Sequence, residues 1–208
     1  MPEIAIFAKA PVPGFAKTRL IPLLGPEAAA ELQARLTRYA IETALAAAIA
    51  PITLWCAPHT QHESFAELRA RFGLTLVAQP RGNLGARMLA AFEGAAPSPV
   101  VLIGTDCPCL TPRDLRDAAD ALAGRADVVI APAEDGGYGL IAARRPLPIL
   151  FRDMPWSSAT VASLTRERAA RSGLKLAELR TVWDVDTPAD YRRLVASGLL
   201  SAAEPIRA

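Results

Sequence analysis

Residues 101–108 read Val-Leu-Ile-Gly-Thr-Asp-Cys-Pro, and the carboxylate of Asp106 is the group in this chain best placed for chemistry. The apolar, β-favouring run over 99–103 ends in Gly104-Thr105. Asp106 is therefore presented just past the C-terminal end of a strand, the edge where open α/β sheets bind ligands. A carboxylate there suits a hard cation, since Mg²⁺ is commonly held by one or two carboxylates plus substrate phosphates. Opening the turn before Pro108, or capping the next helix, is the plainer role the same residue could fill.

Four more segments carry similar chemistry, each where a strand is predicted to end. Residues 9–20 hold Lys9, Lys17 and Arg19 within eleven positions. Lys17 offers a point charge to phosphate, Arg19 a forked donor, and Gly14 a place for the backbone to approach a ligand. Neither the Walker pattern nor Gly-x-Gly-x-x-Gly is present, and a Pro-rich surface loop with solvated cations has the same composition. Residues 79–88, Gln-Pro-Arg-Gly-Asn-Leu-Gly-Ala-Arg-Met, lead from a strand into a helix. Gln79 and Asn83 could read a base edge, while Gly82, Gly85 and the helix start suit an anionic group; a turn with a helix cap reads equally well. In 133–138, Asp135 precedes Gly136-Gly137-Tyr138. The glycines leave room for a ligand beside a carboxylate that could hold hydroxyls or act as a base, or they form a hairpin turn.

The fourth segment is Trp183-Asp-Val-Asp-Thr-Pro, whose alternation sets Asp184 and Asp186 on one side. Thr187 and Pro188 are a natural N-cap and first helical residue, so the acids could serve only the helix start. An Asp-x-Asp phosphatase reading is rejected, because its nucleophile belongs on an early strand and only about twenty residues follow here. Residues 154–160 join Trp156 to Ser157 and a Ser-rich helix start, fit for an acceptor wall or for packing. His59 and His62, in a polar stretch without a third ligand, read as surface residues.

The elements that must position these groups alternate between strand and helix. Strands are predicted at 3–8, 52–57, 74–78, 99–103, 127–131, 138–143 and 174–179. Helices are predicted at 26–50, 61–72, 84–94, 112–123, 158–172 and 188–197, the last stopped by Gly198. Such alternation implies a mostly parallel sheet covered on both faces, with 138–143 leaving the parallel order as an antiparallel strand. The tail 201–208 is expected to be loosely held.

The chain of 208 residues, 51% hydrophobic and 21% charged, fits one globular domain. Its net charge of +2 gives no footprint for nucleic acid. Three cysteines without a Cys-x-x-Cys pair read as reduced thiols of a cytoplasmic protein. Neither an export signal nor a membrane span is expected, because 4–8 is too short and the Ala-rich 40–50 contains Glu42.

Taken together, Phe7–Leu20, Gln79–Met88, Gly104–Pro108, Asp135–Tyr138, Trp156-Ser157 and Asp184–Pro188 resemble the GT-A-like nucleotide-diphospho-sugar transferase superfamily. The nearest resemblance is to a bacterial glycosyltransferase-like family associated with radical-SAM and selenium-related gene contexts. Molybdenum-cofactor and phospholactate guanylyltransferases belong to the wider group. Asn83 stands where that family usually has Asp, and Phe15 where Arg is common. The resemblance implies a three-layer α/β/α fold with a mostly parallel mixed sheet, over a single domain 1–208. A donor-nucleotide half would span about 1–110 and an acceptor half about 111–200. It implies Mg²⁺ or Mn²⁺ held by Asp106 and Asp186, and donor contacts from Lys9, Gly14, Lys17, Arg19, Gln79, Gly82, Asn83 and Gly85. Gly136, Gly137, Tyr138, Trp156 and Ser157 would face the acceptor, with Asp135 and Lys17 as catalytic candidates.

The function expected is metal-dependent glycosyl transfer from a nucleotide-sugar donor to a small-molecule acceptor. The alternative is nucleotidyl transfer from an NTP to a phosphorylated acceptor, releasing pyrophosphate. A nucleotide-binding module without catalysis is the third reading, and it needs fewer acids than Asp106, Asp135 and Asp186 at one edge.

Overall fold

The computed structural model describes residues 2–49 and 51–200; residue 50 of the predicted helix 26–50, and the tail 201–208, lie outside the described residues. Seven strands form one sheet in the order β3-β2-β1-β4-β6-β5-β7. They are β1 Glu3–Lys9, β2 Ile52–Ala57, β3 Thr75–Ala78, β4 Val100–Gly104, β5 Val128–Pro132, β6 Tyr138–Ala143 and β7 Leu176–Glu178. Only β6 runs against the others, pairing antiparallel with β4 and with β5. As a result the C-terminal ends of β1 to β5 meet at one edge, and the β5–β6 turn is delivered to that same edge.

Central strands buried on both faces need apolar residues without alternation, and Val128–Pro132 is buried throughout. On one face, α2 (Pro26–Ala47), α3 (Glu63–Phe72) and α5 (Pro112–Ala123) contribute Ile41, Phe65 and Leu115 to a core with Ile4, Leu54 and Val129. The other face is covered by α4 (Leu84–Ala95), α6 (Pro148–Phe151) and α7 (Val161–Arg171), with Phe92 against Phe151 at 5.4 Å between ring centroids. Each fully buried side chain of this size is worth roughly 1.5–3 kcal/mol. The three-layer α/β/α architecture is thus present. A third cluster joins Leu20, Leu24 of α1 (Ile21–Leu24), Leu32, Val185 and Leu194 of α8 (Pro188–Ser197), tying the first loop to the end of the chain. Among the described residues, no helix is long and apolar enough to cross a membrane.

Two helix starts follow from local chemistry. Thr111 with Asp114, and Thr187 with Asp190, form reciprocal capping boxes with Pro next in line, satisfying otherwise orphaned N–H groups. Elsewhere the elements depart from the expected pattern. A 3₁₀ turn at Thr18–Leu20 and the short α1 and α6 were not anticipated. Helix α7 begins at Val161, later than the predicted 158, because Ser157 takes a left-handed conformation and 154–160 forms a turn. β6 also carries a bulge. Pro132 pairs with Tyr138 and Ala131 with Leu140, so Gly139 is the extra residue. A Cβ on Gly139 would sit 2.6 Å from the Cys107 sulfur and 2.8 Å from Val182, so the bulge requires glycine. It turns Tyr138 onto the sheet face that carries Ile141, away from the face that carries Leu140.

Candidate active site

The strand ends enclose a cleft of about 1290 Å³, the concave kind of site in which ligands are held. The first loop supplies its most constrained residue. Lys17 adopts left-handed backbone angles, φ 47° and ψ 45°, a strained conformation that such residues keep only when their surroundings hold it. Its side chain is 4% exposed, and its ammonium donates to Asp106 Oδ1 at 2.5 Å and to the Val185 carbonyl at 2.6 Å. Two residues on, the Arg19 guanidinium pairs with Asp186. The Val185 N–H meanwhile donates to the Asp106 carbonyl at 2.9 Å. Residues far apart in sequence are thus fastened into one charged knot at the sheet edge.

Behind the knot, Gln33 is a buried polar residue on the core face of α2. Its amide donates to the Thr105 hydroxyl at 3.0 Å and to Thr37 at 3.3 Å, anchoring the loop that presents Asp106. An amide between Leu32 and Leu36 was the sequence signal for this role.

Lys9, Lys17, Gln79, Asp106 and Asp186 line the cleft, as do Asp135, Gly137, Tyr138, Trp156 and Ser157. Six other expected contacts lie outside its lining. Arg19 reaches the site through Asp186. Asn83 spends its side chain accepting from Ala86 N–H as the cap of α4, and the Gly82 carbonyl accepts from Arg87. Gly14 lies in the turn of the first loop, with φ +82° and open space around its Cα. Gly85 is a packing residue, since a Cβ there would lie 2.6 Å from Trp156 Nε1 and would collide with the Phe151 carbonyl. Gly136 packs in the same way against the backbone of Ala159. Gln79 lines the cleft, but its amide nitrogen is committed to the Trp55 and Ala8 carbonyls. Lys9 donates to the Phe15 carbonyl at 2.7 Å.

Asp184, which the alternation of 183–186 sets on the same side as Asp186, is a cleft residue as well. It lines the cleft, and burial first, then the nearby Asp135 charge, pushes its carboxyl up to about 6, with Asp186 and Asp190 adding to the shift and its own backbone N–H opposing it. Nothing in the local sequence separates it from a helix-start acid. Arg81 and Arg87 also line the cleft, and their place in the motif 79–88 could have marked them. Asp135 accepts from the Gly137 N–H at 2.9 Å, so the hairpin turn and the cleft-lining carboxylate are one feature.

The charges divide by position. Lys9, Lys17, Arg81 and Arg87 line the cleft from the first half of the chain; beyond Leu102, among the described residues, the lining contains no lysine or arginine and four aspartates. No cluster of three or more His, Cys, Asp or Glu side chains able to cage a metal occurs among the described residues. Asp106 and Asp186 each pair with a basic side chain through one carboxylate oxygen, so a second oxygen of each would remain to be offered to a cation. That donor set suits Mg²⁺ or Mn²⁺ completed by phosphate oxygens, and not a closed protein cage.

The family described as "Uncharacterized protein conserved in bacteria (DUF2064)" matches residues 40–158. The chain belongs to this family. A solved protein of Desulfovibrio desulfuricans G20, provisionally named a nucleotide-diphospho-sugar transferase, is 30% identical with a TM-score of 0.85, over 95% of this chain and 88% of that one. A cytidylyltransferase of Leptospira borgpetersenii superposes with a TM-score of 0.66 at 16% identity, over 99% of this chain and 89% of its own. Glucosyl-3-phosphoglycerate synthase of Mycobacterium tuberculosis, solved with Mn²⁺ and UDP, gives 0.55 at 14% identity, over 96% and 79%. The last two share the fold alone. No curated protein matches the chain in sequence. The fold is therefore the one used by nucleotide-diphospho-sugar transferases and nucleotidyltransferases.

Proposed function

We propose that this transferase moves a glycosyl group from a nucleotide-diphosphate sugar to a hydroxyl of a small acceptor. The observation that carries the reading is the division of charge across the cleft. A diphosphate needs the cations gathered on the side of β1 and β3, whereas a phosphorylated acceptor would face Asp135 and Asp184, which have no basic partner among the described residues, beside Asp106 and Asp186, whose charges Lys17 and Arg19 already offset. Like charges brought together in a cleft disfavour binding.

In this reading Lys17, held rigidly by Asp106 and Val185, and Arg19 beside Asp186 offset the charge that builds on the departing diphosphate. Asp106 and Asp186 would hold the divalent cation, which supplies further neutralisation of that leaving group. The bond from the anomeric carbon to the diphosphate oxygen breaks, and a bond from that carbon to the acceptor oxygen forms. Asp135, without a basic partner among the described residues and fixed by the Gly137 N–H, takes the acceptor's hydroxyl proton. General-base help of this kind is typically worth about 10²–10⁴-fold.

Four cations would also accommodate a triphosphate, so nucleotidyl transfer is the second reading. Product analysis decides between them. Incubation with NDP-sugars and with NTPs, each with Mn²⁺, should release NDP from the former and no pyrophosphate from the latter. Pyrophosphate release would overturn the glycosyl reading.

A further inference from the structure

We infer that the acceptor is an uncharged alcohol or phenol with an apolar body, seated in a lobe of the cleft between the sheet and α4, with its oxygen on the Tyr138 hydroxyl. The inference rests on the glycosyl reading for the word acceptor; the lobe and its ligand chemistry stand without it.

The lobe is built from adjacent strands. Phe7 on β1, Leu102 on β4 and Ile141 on β6 share one sheet face, and Leu84 and Met88 of α4 lie opposite. Leu102 pairs with Ile141, and Phe7 pairs with Gly104. Gly104 follows Leu102 by two residues and so points to the same face. A Cβ at Gly104 would meet nothing nearer than the Asp106 backbone nitrogen at 3.9 Å, so the missing side chain leaves open space below the Asp106 loop. Apolar walls of this kind favour hydrocarbon over a polyhydroxylated ring, whose hydroxyls would lose water without gaining partners.

One polar group interrupts the walls. The bulge at Gly139 sends Tyr138 to this face, where its ring meets Trp156 edge to face at 6.4 Å. The Tyr138 hydroxyl is buried and has no hydrogen-bond partner among the described residues. Burying a hydroxyl without a partner is costly, so such a group in a native cleft calls for an explanation. Burial also raises the Tyr138 hydroxyl well above its ordinary range, which keeps its proton available to donate. The Trp156 N–H, beside Gly85 of α4, is likewise buried and without a partner among the described residues. Charge completes the description. Asp106 and Asp186 are paired with Lys17 and Arg19, but Asp135 and Asp184 have no basic partner among the described residues, so a neutral acceptor is favoured over an anionic one.

The test uses the full chain and calorimetric titration with phenol, 4-methylphenol, 4-ethylphenol and 4-propylphenol, beside glucose and glycerol. Affinity should rise about fourfold per added methylene, and neither glucose nor glycerol should displace 4-propylphenol. Gly104→Val, which fills the lobe, should abolish alkylphenol binding while UDP and GDP titrations stay unchanged. Tyr138→Phe should keep the chain-length trend but close the gap between 4-propylphenol and propylbenzene, a loss of about fivefold for the phenol. A flat affinity series in the wild-type chain, displacement by glucose, or an unaffected Gly104→Val protein would each overturn the inference. Alkylphenol binding without nucleotide binding would instead sink the glycosyl reading and leave the lobe standing.

Discussion

Replacing Lys17 with methionine keeps an unbranched stem of similar length and removes the charge that ties the site together. Two bonds are lost, to Asp106 and to the Val185 carbonyl. The Asp106 side chain is 53% exposed, so water recovers much of that arm and it is discounted. The Val185 bond is part-buried, and hydrogen bonds to charged groups contribute about 1.5–3 kcal/mol. The net cost to stability is about 2 kcal/mol, which for a chain of this size lowers Tm by roughly 4–8 °C. Loss of one ammonium from the diphosphate should weaken UDP or GDP binding by about ten- to a hundredfold, again from the 1.5–3 kcal/mol range. Uridine and guanosine, which have no phosphate, should be affected by less than about threefold, under 1 kcal/mol. Calorimetry of the four ligands with wild-type and Lys17→Met protein, each with Mn²⁺, measures both numbers. Parallel losses for nucleoside and diphosphate would refute the reasoning, because the loop would then be shaping the cleft without reading phosphate.

Other expectations concern the remaining charges. Asp106→Asn and Asp186→Asn should each remove the Mn²⁺-dependent part of the thermal shift given by UDP or GDP, while each variant keeps its wild-type circular dichroism spectrum. Asp135→Asn should lower the single-turnover rate by about 10²–10⁴-fold with donor affinity unchanged; donor binding falling in step with rate would move Asp135 to the nucleotide side. At Asp114, burial pushes the carboxyl up, but the Arg180 fork and the Thr111 hydroxyl and N–H together hold it below its ordinary 3.8. The ionised form is therefore favoured by folding, so its contribution is complete above the unfolded carboxyl's value near 4 and is lost as pH falls through the lower folded value. Urea midpoints should show Asp114→Asn destabilised by about 2 kcal/mol near pH 7, with the difference from wild type shrinking below about pH 4. Gly85→Ala should cost about 1–3 kcal/mol by forcing Trp156 aside, read as a lower Tm together with changed Trp fluorescence.

Where local chemistry set a boundary, the sequence was legible to the residue. Pro112–Ala123 and Pro188–Ser197 are found at their predicted limits, because a Thr-Pro start with an Asp three residues after the cap leaves little choice of register. The antiparallel turn after Pro132 was legible through Asp135-Gly136-Gly137. The bulge at Gly139 was not, since alternation alone assigns Tyr138 and Leu140 to one face, and only the approach of Cys107 and Val182 shows why a glycine stands there. Gly85 and Asn83 were read as ligand contacts because a glycine or an asparagine at a helix start serves ligands and packing alike. Tertiary neighbours decide between those uses. Asp184 acquires its character from burial near other acids, which no local window reveals.

The bond between the Val185 N–H and the Asp106 carbonyl, with the Arg19 pairing to Asp186, has a consequence for the timing of synthesis. A ribosome that has just added Asp106 must add 80 more residues (186 − 106) before the second carboxylate exists, which takes roughly 4–16 s at about 5–20 residues per second. During that interval β1, β2, β3 and β4 can already pair, and Lys17 has Asp106 as its one carboxylate partner of the knot. This edge of the cleft is thus completed late in translation, so a nascent chain can build its sheet before both carboxylates of the knot are in place.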